Sequence, residues 1–134
     1  NQFPDQVSAQ ITFNLGLAAR IYAGGDIYLM PSKSEPCGLS QMIAMRYGTL
    51  PIVRETGGLK DTVHAYEAWN GAGNGFSFAD YNAGDMCHVV CEAIDLYHNN
   101  KPACAALQKR GMTADFSWTR SAKAYNDIYR SICR

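Results

Sequence analysis

Two short, unbroken apolar runs, Ile27-Tyr28-Leu29-Met30 and Leu50-Pro51-Ile52-Val53, limit what this chain can fold into more than any other feature. Each is followed by a turn and then a helical pattern. Continuous apolar runs of this length suit strands of a parallel sheet whose two faces are both covered by helices. Before the first run, residues 9–22 place Phe13, Leu17 and Ile21 on one helix face, which Gly24-Gly25 stops. After it, residues 32–38 read as a loop and 39–47 as a helix, with Gly48 placed for a left-handed C-terminal cap. Residues 55–58 make the next turn, 59–66 a further helix carrying Val63, and 70–75 a polar, turn-rich stretch. Residues 75–78 supply a third strand. Asp80 is the expected N-cap of a long helix through Met86, Val89, Val90, Ile94 and Leu96, which the 99–102 segment breaks. A further helix runs to about Met112, and Ser117 is expected to cap a last one that aligns Trp118, Ala122, Tyr125, Tyr129 and Ile132.

Strands alternating with helices define the α/β class, here a three-layer, Rossmann-like lobe with a parallel sheet flanked by helices. One domain over residues 1–134 is expected, since 134 residues with 47% hydrophobic side chains suffice for a single core. Right-handed crossovers bring the strand-to-helix loops to one edge of the sheet, the carboxyl edge, where open α/β sheets bind ligands. That edge comprises residues 32–40, 54–59 and 79–83.

Twelve Lys+Arg balance twelve Asp+Glu, so no broad basic field gathers nucleic acid or an anionic membrane surface. No apolar run approaches the roughly 20 residues of a membrane helix, and the N-terminus lacks the basic and apolar regions of a signal peptide. A cytoplasmic location is expected. The chain begins without Met and soon enters a helical pattern, as a piece of a longer polypeptide would. Cys37, Cys87, Cys91, Cys104 and Cys133 form an odd set without disulfide spacing, consistent with a reducing compartment. Cys87 and Cys91 flank His88 one helical turn apart, but nothing else supplies metal ligands, and core packing of the two thiols is the better reading. His64 and His98 stand alone, as surface or packing residues.

The segment from Pro31 to Gln41 carries the chemistry. It joins a buried strand to a helix, and in it Gly38 allows close backbone approach. Free N–H groups of Gly38, Leu39 and Ser40 at the helix start would favour an anion such as a phosphate. Glu35 adds an acceptor suited to sugar hydroxyls, which a phosphate site would not need. Sugar and phosphate together point to a nucleotide sugar, although an acid in such a loop is more often a solvated turn residue.

Longer stretches raise those odds. Ala23 to Met30, Ser32-Lys33-Ser34-Glu35-Pro36-Cys37-Gly38-Leu39, Tyr47-Gly48-Thr49-Leu50-Pro51 and Thr56-Gly57-Gly58-Leu59-Lys60-Asp61-Thr62-Val63 resemble, in order and spacing, the C-terminal lobe of bacterial-type glycogen and starch synthases. Phe116-Ser117-Trp118 is similar to that family as well. The resemblance covers nearly the whole chain. It implies a partial C-terminal lobe of the two-lobed GT-B fold, in a retaining glycosyltransferase that moves glucose from ADP-glucose to the non-reducing end of an α-1,4-glucan. It implies no cofactor and no metal. By the same resemblance Glu35 is the catalytic-site acid that holds the glucose hydroxyls, and the backbone at Cys37 and Gly38 contacts the same sugar. Leu39 and Ser40 would present N–H groups to the diphosphate, and Thr56, Gly57 and Gly58 would line the neighbouring cleft.

The resemblance also places the glucan-binding lobe, and the Arg and Lys that neutralise the leaving diphosphate, upstream of this chain. Without those cations transition-state charge goes uncompensated, so the 134-residue piece alone is expected to transfer negligible glucose. Related retaining enzymes carry a second glutamate eight positions after the first, where this chain has Ile43. That departure disfavours another nucleotide-sugar glycosyltransferase, and Glu55 stands where bacterial relatives have a basic residue. A non-catalytic α/β module that binds a nucleotide or glucan is the alternative from another class. A response-regulator arrangement is disfavoured because Asp26 lies at the wrong end of its strand. Gly71-Ala72-Gly73-Asn74-Gly75 precedes a strand instead of following one, so it reads as a turn and not a dinucleotide loop. Helical spacing assigns Trp118, Tyr125 and Tyr129 to packing before sugar stacking.

Overall fold

A computed structural model describes residues 3–133. Three strands, β1 (Ile27–Met30), β2 (Leu50–Arg54) and β3 (Phe76–Phe78), form one parallel sheet in the order β1-β2-β3. Ile27 pairs with Leu50 and Met30 with Val53, while Ile52 pairs with Phe76 and Arg54 with Phe78. Between and around them run α1 (Leu15–Gly24), α2 (Ser40–Tyr47), α3 (Gly57–Thr62), α4 (Ala83–Asn99), α5 (Lys101–Thr113) and α6 (Trp118–Ile132). This is the α/β, three-layer arrangement that the alternating pattern requires.

Alternation along β2 divides the core in two. Leu50 and Ile52 face one side, where Phe76, Phe78, Val89, Ala93, Leu96, Cys104 and Leu107 pack between the sheet and α4 and α5. Val53 faces the other, with Met45, Leu59 and Val63 from the α2 and α3 side. The central strand β2 is buried from Leu50 to Val53, as expected. The expectation for β1 was too strong: it is an edge strand, only half-buried, with Leu29 41% exposed. The cause lies in the layer above, because α4 packs on β2 and β3 and α5 on β2.

Side-chain caps set the helix ends, and they correct several expected boundaries. Asn14 accepts from Leu17 N–H, so α1 starts later than residue 9 and leaves Phe13 exposed before it. Helix α3 ends at Thr62 instead of Tyr66. There the buried Asn74 side chain donates to Thr62 O at 2.9 Å and accepts from His64 N–H at 2.7 Å, and Ala65 then bridges to Gly75. Asn82, not Asp80, caps α4, by accepting from Asp85 N–H at 2.9 Å. Asn100 both ends α4 and caps α5, where Pro102 falls in the tolerant first turn. Gly48 is left-handed at φ 87° and Ser117 caps α6, both as expected.

Two packing expectations are overturned. Helix α6 buries none of its residues, and Trp118 (90%), Tyr125 and Tyr129 are exposed, so its aromatic stripe is not core within this chain. Cys87 and Cys91 are likewise exposed, on the side of α4 turned away from Val89, Ala93 and Leu96. No cluster of three or more metal-ligating side chains forms among the described residues, nor is any helix there long and apolar enough to cross a membrane.

Leu107 is fully buried where α5 meets the sheet. Leu107→Ala is therefore expected to cost about 2–5 kcal/mol, from lost transfer energy plus a residual cavity. A urea titration reads this as a lower midpoint with an unchanged slope.

Candidate functional site

The loop after β1 and the start of α3 after β2 meet at the carboxyl edge, and they meet backbone to backbone. Gly58 N–H donates to Pro36 O at 3.0 Å. A Cβ built at Gly57 would stand 2.2 Å from Glu35 O, and one at Gly58 would stand 1.9 Å from Cys37 O. No side chain fits in that seam. The Gly57-Gly58 pair is thus the platform on which the Glu35-Pro36-Cys37 backbone rests. Thr56, extended and without a side-chain capping bond, introduces it.

The same loop leads into α2. Glu35 is half-buried and its Oε1 accepts from Gly38 N–H at 3.1 Å. Of the three N–H groups expected to be free, Gly38's is therefore taken, by the very acid expected to hold sugar. The carboxylate satisfies a loop N–H one residue before the Leu39 N-cap, so the loop is held in this form by its own anion. Leu39 and Ser40 N–H have no protein acceptor among the described residues, because the first backbone bond of α2 runs from Ile43 N–H to Leu39 O. The Ser40 hydroxyl turns inward and donates to Met30 Sδ at 3.2 Å. Cys37 is exposed, Leu39 is 68% exposed, and Gly38 is buried at φ 70°, a conformation that favours glycine. All eight candidate residues thus fall within one loop and two helix starts, at the edge where the sequence placed them.

Two residues given no role on sequence grounds hold this corner together. Arg54, the last residue of β2, donates from Nη1 to Lys33 O at 2.8 Å and lies over the Tyr81 ring, 5.5 Å from its centre. It therefore links all three strand-to-helix connections of the carboxyl edge. Gln41 is fully buried beneath Gly38. Its signal was available in the sequence, since it shares the apolar face of α2 with Ala44 and Met45, and a polar residue on a buried face needs a partner. Glu55 has structural partners, Lys60 at 3.1 Å and Ser77 at 2.9 Å, and their hydrogen bonds hold its carboxyl below the usual range. Nearby, Pro31, Phe78, Tyr81, Asn82, Ala83 and Met86 line an open apolar pocket of about 250 Å³.

A parallel α/β lobe with its helix starts gathered at the carboxyl edge of the sheet is a Rossmann-like unit, and the chain belongs to the family described as glycosyl transferases group 1, which matches residues 6–112. Within that family it is similar to bacterial glycogen synthases. It is 54% identical over 131 residues to the glycogen synthase of Bacillus cereus (strain B4264), covering 98% of this chain and 27% of that protein. It is 51% identical to the glycogen synthase of Desulfitobacterium hafniense, covering 97% and 28%. Among solved structures, the catalytic domain of starch synthase IV from Arabidopsis thaliana, bound to ADP and acarbose, superimposes with a TM-score of 0.86 at 36% identity over 99% of this chain and 28% of that one. A sucrose-phosphate synthase from Thermosynechococcus elongatus shares the fold, with a TM-score of 0.70 at 24% identity over 98% and 31%. The chain spans about a quarter of the length of the curated relatives it matches. The Rossmann-like lobe of a GT-B glycosyltransferase, expected from the motifs, is thereby shown.

Proposed function

We propose that residues 1–134 are the larger part of the C-terminal, sugar-nucleotide-binding lobe of a glycogen synthase. The enzyme transfers glucose from ADP-glucose to the non-reducing end of an α-1,4-glucan with retention, in the cytoplasm and without a cofactor or metal. The observation that carries this reading is the convergence at the start of α2. There one carboxylate, Glu35, stands beside two N–H groups, of Leu39 and Ser40, that have no protein acceptor among the described residues.

In this mechanism Glu35 leaves the Gly38 N–H and takes the glucose hydroxyls. The carboxylate accepts hydrogen bonds, and the N–H group it releases becomes available to the incoming sugar together with the Cys37 backbone. The Leu39 and Ser40 N–H groups then meet the diphosphate, where charge builds as the glycosidic bond breaks and fixed dipoles stabilise it without reorganisation. The Thr56-Gly57-Gly58 segment supports the loop from below. The acceptor glucan is held by another lobe of the polypeptide.

The reading is supported by the relatives named glycogen synthase and by the starch synthase structure bound to ADP. Its test is incorporation of labelled glucose into glycogen by the full-length enzyme, with ADP-glucose and UDP-glucose compared at equal concentration. Faster incorporation from ADP-glucose is expected. Incorporation from neither would overturn the proposal.

A further inference from the structure

Three polar side chains are buried among the described residues, and two of them serve the architecture. Thr49 donates to Tyr22 O at 2.6 Å and fastens the end of α1, while Asn74 terminates α3. The third, Gln41, faces the candidate site. Its Nε2 donates to Gly38 O at 2.8 Å and to Thr62 Oγ1 at 3.1 Å, with Cys37 O at 3.5 Å. Thr62 Oγ1 donates onward to Gly58 O at 2.6 Å. The chain of bonds therefore runs from the corner of the β1–α2 loop, through Gln41 and Thr62, to the glycine platform of α3.

The orientation of this amide follows from its neighbours. Turned over, it would set its oxygen against the carbonyls of Gly38 and Cys37. Oriented as it is, Oε1 is buried without a hydrogen-bond partner among the described residues, and it lies 2.6 Å from where a Cβ of Gly38 would stand. An orphaned acceptor in a core is unfavourable, and a methionine of similar length would fill the space without one. The contribution of the glutamine therefore lies in the bonds from Nε2, and those bonds all end on the two segments that carry the candidate site.

We infer that Gln41 is a positioning residue of the nucleotide-sugar site: through Thr62 its carboxamide ties the Cys37-Gly38 backbone to the start of α3, and so fixes where the Leu39 and Ser40 N–H groups point. This rests on the proposed function above. Gln41 is shut away from solvent and acts through the loop, touching no substrate itself.

The test uses the full-length enzyme. Gln41→Met removes the bonds while keeping the length of the side chain, Thr62→Val cuts the second link, and Thr62→Ser keeps the hydroxyl. The KM for ADP-glucose is expected to rise about tenfold in Gln41→Met and in Thr62→Val, the size expected for a lost buried hydrogen bond. The KM for glycogen stays within about twofold, and Thr62→Ser restores the ADP-glucose KM to within about twofold of wild type. An unchanged ADP-glucose KM in both disrupting variants overturns the inference, as does an equal rise in both KM values, which marks a general loss of structure. Should Gln41→Met fail to fold, the Thr62 pair decides: equal ADP-glucose KM for the valine and serine variants overturns it. A wild-type enzyme that transfers no glucose overturns the proposed function instead, and this outcome is visible before any variant is made.

Discussion

Gly58→Ala is expected to weaken productive use of the nucleotide sugar by on the order of a hundredfold while leaving most of the fold in place. The argument is steric, since Gly58 lies in the first turn of α3 and its φ is not one of the positive glycine values. A Cβ there would stand 1.9 Å from Cys37 O, 2.7 Å from Cys37 C and 2.8 Å from Cys37 Cα. These are backbone atoms, so no rotamer change relieves the clash, and the Cys37 peptide must retreat by about an ångström or more to reach an ordinary contact distance. That retreat breaks the 3.0 Å bond from Gly58 N–H to Pro36 O and carries Glu35 and Gly38 with it. Overpacking of this kind costs about 1–3 kcal/mol of stability. A displacement of about 1 Å in a positioned site costs on the order of a hundredfold in rate. Calorimetric titration of the full-length variant with ADP, beside a thermal melt, separates the two effects. Wild-type ADP affinity in a folded Gly58→Ala protein would refute the platform role of the glycine pair.

The sequence displayed the layers of this fold because they depend on local pattern. Four-residue apolar runs, the Gly48 cap and the Ser117 cap are decided by neighbours within one or two turns, and all three appear where the pattern puts them. Boundaries set by distant partners were not legible. Helix α3 stops at Thr62 because Asn74, twelve residues on, captures its last carbonyl, and nothing near Thr62 announces that. Exposure was misread for a related reason. The heptad-like spacing of Trp118, Tyr125 and Tyr129 shows which face of α6 is apolar but not what lies against it, and among the described residues that face is bare. The same holds for Leu29 on the edge strand.

The candidate site was legible in its parts and not in its state. Sequence alone gathered Glu35, Gly38 and the α2 amides into one corner, but it treated the acid and the amides as separate partners for sugar and phosphate. The structure shows the acid bound to one of those amides. Gly38 N–H, one residue before the Leu39 N-cap, pairs with the carboxylate three residues before it, so the free site holds itself in shape. The burial of Gln41 was legible from the face it shares with Ala44 and Met45, but its partner Thr62, twenty-one residues away, was not.

This internal bond makes Glu35→Gln an informative substitution, because glutamine can keep it. The carboxamide oxygen of the variant still accepts from Gly38 N–H in the geometry that Glu35 Oε1 holds at 3.1 Å, so the loop should retain its shape and the melting temperature should change little. The charge is lost. A carboxylate grips sugar hydroxyls through charge-assisted bonds, each stronger than a neutral amide's by roughly 1–1.5 kcal/mol, so two such bonds differ by about 2–3 kcal/mol, or about 30- to 150-fold. The full-length variant is therefore expected to lose between one and two orders of magnitude in kcat/KM for ADP-glucose. ADP alone, lacking the glucose, should bind to wild type and variant within about twofold, since Leu39 and Ser40 N–H are untouched by the change. The comparison of sugar nucleotide with nucleotide is decisive. If Glu35→Gln turned over ADP-glucose at the wild-type rate, Glu35 would be no more than the partner of Gly38 N–H. If it lost affinity for ADP as strongly as for ADP-glucose, the carboxylate would be shaping the loop and not gripping the glucose.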